Sequence, residues 1–260
     1  MNRLPNLLIA GTQKSGTTWT HFTLNKSQLI YGSNIKELNF FNHIDLNHNK
    51  IEEYKKNFPV GKEQYYMEST PHYFRVPNKN LDIASNIHEL LPENDLKLIV
   101  IFRNPIERAL SATVHHMMQG RLEYKETISK VTNFQGILDL GFYHKILQFW
   151  KPIFKDNLAV FFYDEIEKNP KAYINSIFSF LCLENDLTDD DLDFRVNDKK
   201  IKAEKMNKEF LPKCTMEVLK DLKNIYEDDI NKLFNEMNVE YPEWFDLEKI
   251  YIKFNNIENT

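Results

Sequence analysis

The chain has 260 residues, 42% of them apolar and 27% charged, which excludes a disordered or low-complexity architecture and suffices to bury one large α/β core. A net charge of −5 excludes a broad basic face for nucleic acid, so an anionic ligand has to be met by a local cluster of cations. No apolar run approaches the ~20 residues of a membrane helix, the opening Met-Asn-Arg-Leu-Pro has no leader-like apolar region, and Cys182 and Cys214 fall at no disulfide or zinc spacing, so a reducing cytoplasm is the expected compartment.

Short apolar runs at 7–10, 64–67, 96–102 and 158–162 read as strands. Amphipathic stretches at 17–26, 51–58, 80–91, 105–117, 137–153 and 170–181 read as the helices between them. This alternation predicts an α/β fold: a P-loop-like three-layer sandwich around a mostly parallel sheet. Residues 118–136 carry no regular pattern and read as a substrate loop. Past residue 182 the texture changes. An acidic stretch (185–193) and a lysine-rich stretch (199–208) lead to a long helix at 215–237, with no strand expected. Residues 182–260 are therefore expected to be a helical cap on one domain that spans 1–260.

The first strand runs into Gly11-Thr-Gln-Lys14-Ser-Gly16-Thr-Thr-Trp. Two glycines five apart, between a strand and a helix, turn backbone N–H groups and a helix N-terminus toward an anion. Nucleotide triphosphatases place a lysine right after the second glycine. Here Thr17 stands there, and the lysine lies inside the loop at Lys14. The strand at 96–102 tests the same reading. A magnesium-dependent triphosphatase ends such a strand in an aspartate, whereas this one ends in Arg103. Arginine binds no metal but forks onto a phosphate. It is also scarce here, with six arginines against 27 lysines. Pro105 starts a helix, and Ser111 lies on it, eight residues after Arg103. Arg103 and Ser111 read as a second phosphate pocket.

Together, Lys14-Ser-Gly-Thr-Thr-Trp and Arg103-Asn-Pro-x-x-Arg-x-x-Ser111 resemble the PAPS-dependent sulfotransferases. Phe161-Phe-Tyr-Asp-Glu-Ile-Glu-Lys-Asn-Pro-Lys is similar to the cytosolic branch. Glu68-Ser-Thr-Pro-His-Tyr-Phe, Gly141-Phe-Tyr-His-Lys and the stretch from Leu222 through Tyr226 to Trp244 are closer to the heparan-sulfate branch. The resemblance implies a metal-free transfer of a sulfuryl group from 3′-phosphoadenosine 5′-phosphosulfate (PAPS) to a hydroxyl or amine, releasing the bisphosphate PAP. It implies that Lys14, Ser15, Gly16, Thr17 and Thr18 cradle the 5′-phosphosulfate, and that Trp19 stacks on the adenine. Tyr163 would reach the purine, Arg103 and Ser111 would hold the 3′-phosphate, and Lys200 and Lys202 would close over it.

Two residues compete for the role of base. Lys36-Glu37-Leu-Asn-Phe-Phe is similar to the Lys-Glu-Pro-His-Phe-Phe segment whose glutamate is the base in the heparan-sulfate branch. His72 follows the strand edge where the cytosolic branch keeps its histidine. One position departs: Ser69 stands where the heparan-sulfate branch has a lysine beside the leaving group, which shifts that load to Lys14 or Lys36. His115 and His116, at the end of the helix after Ser111, either line an acceptor cleft or are helix-end polarity. The acceptor class stays open among small molecules, lipids and glycans. The rival readings are a nucleotide kinase, which would need magnesium, and a silent PAP-binding protein.

Overall fold

The computed structural model describes residues 2–43, 46–91, 96–194 and 210–255. The chain divides into two units, Met1–Phe102 with Ile146–Phe194, and Arg103–Lys145 with Arg195–Thr260.

The first unit is built on β1 (Leu7–Gly11), β2 (Ile30–Gly32), β3 (Tyr65–Ser69), β4 (Lys97–Phe102) and β6 (Leu158–Phe162). They form one sheet in the order β2-β3-β1-β4-β6, and every pairing is parallel. β1 is apolar throughout, and β4 is apolar after Lys97, because both of their faces are covered. On one face Leu7, Ile9, Met67, Ile99 and Ile101 pack with α7 (Pro170–Phe180) through Tyr173, Ile174, Ile177 and Phe178, and with Leu24 of α1 (Thr17–Leu24). On the other, Phe74 meets Phe102 at 5.7 Å and Trp150 of α5 (Tyr143–Phe154) at 5.3 Å between ring centroids. Helix α2 (His48–Lys55) buries Tyr54, and α3 (Ile83–Leu90) buries Ile83, Ala84 and Ile87. A short α6 (Tyr163–Lys168) follows β6 directly, and α8 (Asp189–Leu192) carries a Thr188 capping box.

In the second unit α4 (Pro105–Met118) starts where its residues dictate. Asn104 caps it, accepting from the N–H groups of Ile106 at 3.0 Å and Glu107 at 3.4 Å, and Pro105 occupies the first turn. α4 packs with α9 (Met216–Met237), whose Tyr226 donates to the Leu138 carbonyl at 3.0 Å. A Cβ on Gly141 would lie 2.6 Å from that tyrosine ring, so the Gly141 motif and Tyr226 are one packing unit. Asp229 accepts from the N–H groups of His144 and Lys145, both at 2.9 Å. α10 (Leu247–Asn255) ends the described chain.

Two expectations change. A strand does follow residue 182: β7 (Lys213–Cys214) pairs in parallel with β5 (Thr127–Ile128), so the patternless 118–136 stretch holds a strand too. At two residues each, these strands leave no periodicity to read. The Asn255 side chain holds β7 by accepting from the Cys214 N–H at 2.8 Å and donating to its carbonyl at 3.0 Å. The edge strand β2 was likewise not expected, being three residues long.

Candidate active site

The glycine loop sits at the carboxyl end of β1, between its neighbours β3 and β4, where open parallel sheets bind ligands. Gly11 has no room for a side chain, since a Cβ there would lie 2.5 Å from that of Phe74. Thr12 anchors the loop to β4. Its N–H and hydroxyl both donate to the Ile101 carbonyl, at 3.1 and 2.9 Å. The Ser15 hydroxyl turns inward and bonds Thr12 Oγ1 at 2.7 Å. Lys14 and Gly16 take left-handed conformations, with φ of 69° and 85°. No side chain caps α1. Its first N–H groups thus lie open to an anion behind a lysine-bearing turn. Thr17 is buried, and Thr18 and Trp19 are half-buried. A Cβ on Gly16 would lie 2.9 Å from both Tyr163 and Ile166, so the start of α6 closes on the loop. Trp19 stacks on Phe194, with centroids 5.9 Å apart and planes 18° apart.

The two candidate bases stand in different settings. Glu37 N–H donates to the Ser69 carbonyl at 3.0 Å, which ties its segment to the end of β3. Its carboxylate is exposed and takes a 2.7 Å ion pair from Lys36. Glu37 and Asn39 are both left-handed, with φ of 65° and 56°, a conformation asparagine takes readily and glutamate holds only when its surroundings impose it. His72 is half-buried. Its Nε2 lies 3.1 Å from the side-chain nitrogen of Gln13 in the glycine loop, and its Nδ1 lies 3.4 Å from Nη2 of Arg75. A neutral imidazole satisfies both neighbours once the Gln13 amide is turned, so that its oxygen accepts from Nε2–H. His72 is thereby held by the loop on one side and a guanidinium on the other.

Ser69, at the place of the missing lysine, bonds Nδ1 of His21 at 2.7 Å. His21 lies on α1 and is 1% exposed. Burial, then the charge of Lys36, lowers its pKa to about 4, against a smaller opposing hydrogen bond that the ring donates to the Ser33 backbone. The ring is therefore neutral at pH 7. The folded pKa lies below the unfolded value of 6.5, so this contribution is complete above pH 6.5 and is lost as pH falls toward 4. We expect His21 to cost about 2 kcal/mol of stability between pH 7 and pH 5. Urea unfolding at both pH values checks this. His21→Gln should flatten the difference, and an equal loss in wild type and variant rules out the assignment.

In the second unit Arg103 follows the last residue of β4. Its Nη2 pairs with Glu107 at 2.6 Å, and Lys253 approaches the same carboxylate at 3.3 Å. Burial raises the Glu107 pKa, but the two cations outweigh it and hold the carboxyl below its ordinary value. The Tyr143 hydroxyl donates to the Arg103 carbonyl at 2.8 Å. Ser111 is buried on α4 one turn beyond Glu107. Arg108 is fully buried and donates to the Ile137 carbonyl.

The chain matches the sulfotransferase domain family over residues 4–251. It belongs to that family. This sulfotransferase domain is 30% identical over 205 residues to the human bifunctional heparan sulfate N-deacetylase/N-sulfotransferase 2, covering 69% of this chain and 22% of that protein. It is 34% identical over 112 residues to the membrane-associated sulfotransferase kil1 of Dictyostelium discoideum, covering 42% of this chain and 22% of that protein. The chain thus spans about a fifth of the length of these curated relatives. Among solved structures, a sulfotransferase from Alicyclobacillus acidocaldarius superposes with a TM-score of 0.69 at 20% identity, over 93% of this chain and 99% of that one. The sulfotransferase domain of the Synechococcus PCC 7002 olefin synthase gives 0.55 at 16% identity, over 93% and 97%. At these identities the likeness is one of fold.

Within the first unit of the sulfotransferase domain, Lys14 to Trp19, Tyr163, His72 and the Glu37 segment gather at the carboxyl end of the sheet. Arg103 and Ser111 lie in the second unit, and Lys200 and Lys202 lie outside the described residues. His116 is buried and set edge-on to Phe134 at 5.3 Å, so it belongs to packing inside its unit, whereas His115 is half-buried. Sequence reasoning missed Glu107, His21, Gln13 and the buried carboxylate of Glu68. Only Glu107 had a readable signal, its i+4 spacing from Arg103.

Proposed function

We propose that this chain moves a sulfuryl group from PAPS to an acceptor hydroxyl or amine and releases PAP. The observation that carries the reading is the uncapped N-terminus of α1 behind the Lys14–Gly16 turn, in a chain that belongs to the sulfotransferase domain family. Lys14, the loop backbone through Ser15 and Gly16, and the hydroxyls of Thr17 and Thr18 hold the 5′-phosphosulfate. Trp19 and Tyr163 flank the purine. Arg103 and Ser111 hold the 3′-phosphate, with Lys200 and Lys202 as further cations.

PAPS supplies the activated sulfuryl group. Glu37 takes the proton of the acceptor O–H or N–H as that atom bonds to sulfur. Lys14 neutralises the charge left on the phosphate oxygen when its bond to sulfur breaks. Lys36, paired with Glu37, is the second cation within reach of that segment. The acceptor is a small molecule, a lipid or a glycan. The heparan-sulfate relative favours a glycan, and Ser69 in place of the lysine counts against transferring that preference unchanged. Two free thiols suit the cytoplasmic reading, and no helix among the described residues is long and apolar enough to cross a membrane.

The test is a PAPS-dependent transfer screen over glycan amines, glycan hydroxyls, lipids and small alcohols, with product detected by mass. Sulfated product should accumulate equally with and without EDTA. Transfer from ATP that EDTA abolishes and magnesium restores would establish the kinase reading instead.

A further inference from the structure

Glu68 lies near the end of β3 and is wholly buried. Strand alternation sends Met67 and Ser69 to the face covered by α1 and α7, and Glu68 to the opposite face. There, among the described residues, its carboxylate accepts from three hydroxyls. One oxygen takes Thr70 Oγ1 at 2.7 Å and Tyr73 OH at 2.6 Å, and the other takes Tyr54 OH. Burial raises its pKa, and the three hydroxyls oppose that rise.

Each of these three side chains holds something else as well. Thr70 Oγ1 accepts from the N–H of Asn39 at 3.1 Å. Tyr73 OH accepts from the N–H of Phe41 at 3.3 Å. The Tyr54 ring stacks on Phe40, with centroids 3.9 Å and planes 8° apart. Three consecutive residues, Asn39, Phe40 and Phe41, are thus gripped by groups that converge on one carboxylate. The direction of these bonds follows from chemistry. A hydroxyl that accepts from a backbone N–H gives its own proton elsewhere, and an ionised carboxylate is an acceptor for all three. The N–H to O–H to carboxylate chains run one way only.

We propose that Glu68 is a positioning residue: through Thr70, Tyr73 and Tyr54 it locks residues 39–41, and so holds Glu37, two residues upstream, in its left-handed conformation with its carboxylate aimed at the acceptor. The inference rests on the reading of Glu37 as base. Glu68 touches no reacting atom. It acts by removing the freedom of a segment that lies outside helix and strand between residue 33 and residue 39 and that the Glu37 N–H also ties to the end of β3.

Three variants test it: Glu68→Gln, and the gentler Thr70→Val and Tyr73→Phe, each of which deletes one hydroxyl and keeps the shape. A misaimed base should lower kcat by about 10–100-fold, with PAP affinity, set by the glycine loop and Arg103, unchanged. Amide hydrogen exchange should quicken about tenfold or more at Asn39 in Thr70→Val, at Phe41 in Tyr73→Phe, and at both in Glu68→Gln. In a Glu37→Gln background the same changes should cost no further turnover, because nothing is left to aim. Unchanged exchange at these amides, a parallel loss of PAP affinity, or full additivity with Glu37→Gln overturns the proposal. Should the wild type transfer sulfuryl to no acceptor, the proposed function fails by itself, and the exchange arm alone decides whether Glu68 holds the segment.

Discussion

Glu37→Gln should lower turnover by about two to four orders of magnitude, the usual contribution of a general base, while leaving PAP affinity nearly unchanged. Glutamine keeps the size of the side chain and still accepts from Lys36, but it takes no proton. The exposure of the carboxylate and its pairing with Lys36 suit a group open to an acceptor. His72→Asn should cost less, because His72 is tied to Gln13 and Arg75 and acts through the shape of the loop. The pH profile of kcat/KM separates the two. A carboxylate base leaves activity on a plateau into weakly acid pH, whereas an imidazole base loses it as pH falls through ~6.5. If Glu37→Gln turns over like wild type, His72→Asn is inactive and the acid limb sits near the imidazole value, the two roles are reversed.

Arg103→Ala should weaken PAP by about 30-fold, near 2 kcal/mol, and leave adenosine 5′-phosphosulfate, which has no 3′-phosphate, almost unaffected. The figure is at the low end for a charge-assisted contact because the ion pair with Glu107 is already made and has to be exchanged for the phosphate. The same competition gives the opposite arm. Glu107→Gln removes the rival anion and should tighten PAP several-fold. Calorimetry with both ligands measures both effects. Equal losses for PAP and adenosine 5′-phosphosulfate in Arg103→Ala would remove the 3′-phosphate assignment.

What could be read in the sequence was what is local. β1 and β4 announced themselves as apolar runs because both faces are buried, and the Lys14–Trp19 turn because a phosphate loop is a spacing rule within one short segment. Asn104-Pro105 marked the start of α4 in the same way. What escaped depends on partners brought together by folding. His21 is 48 residues from Ser69 and Tyr54 is 14 from Glu68, and neither pair follows a helical or strand period. β7 owes its place to an asparagine side chain 41 residues away. Glu107 lay within reach of a helix-spacing rule, yet Arg103 was read only for what it binds and not for what holds it in the meantime.

The left-handed backbone at Lys14, Glu37 and Asn39 bears on how far this protein can be improved. At Lys14 and Glu37, unlike at an asparagine, that conformation costs about 1–2 kcal/mol, and glycine would relieve it for roughly 0.5–1 kcal/mol of its own. Selection for heat tolerance alone therefore favours glycine at positions 14 and 37, the two that carry the proposed charge neutralisation and proton removal. Durability and turnover pull in opposite directions there, so a library screened without an activity readout would enrich for well-folded, silent variants.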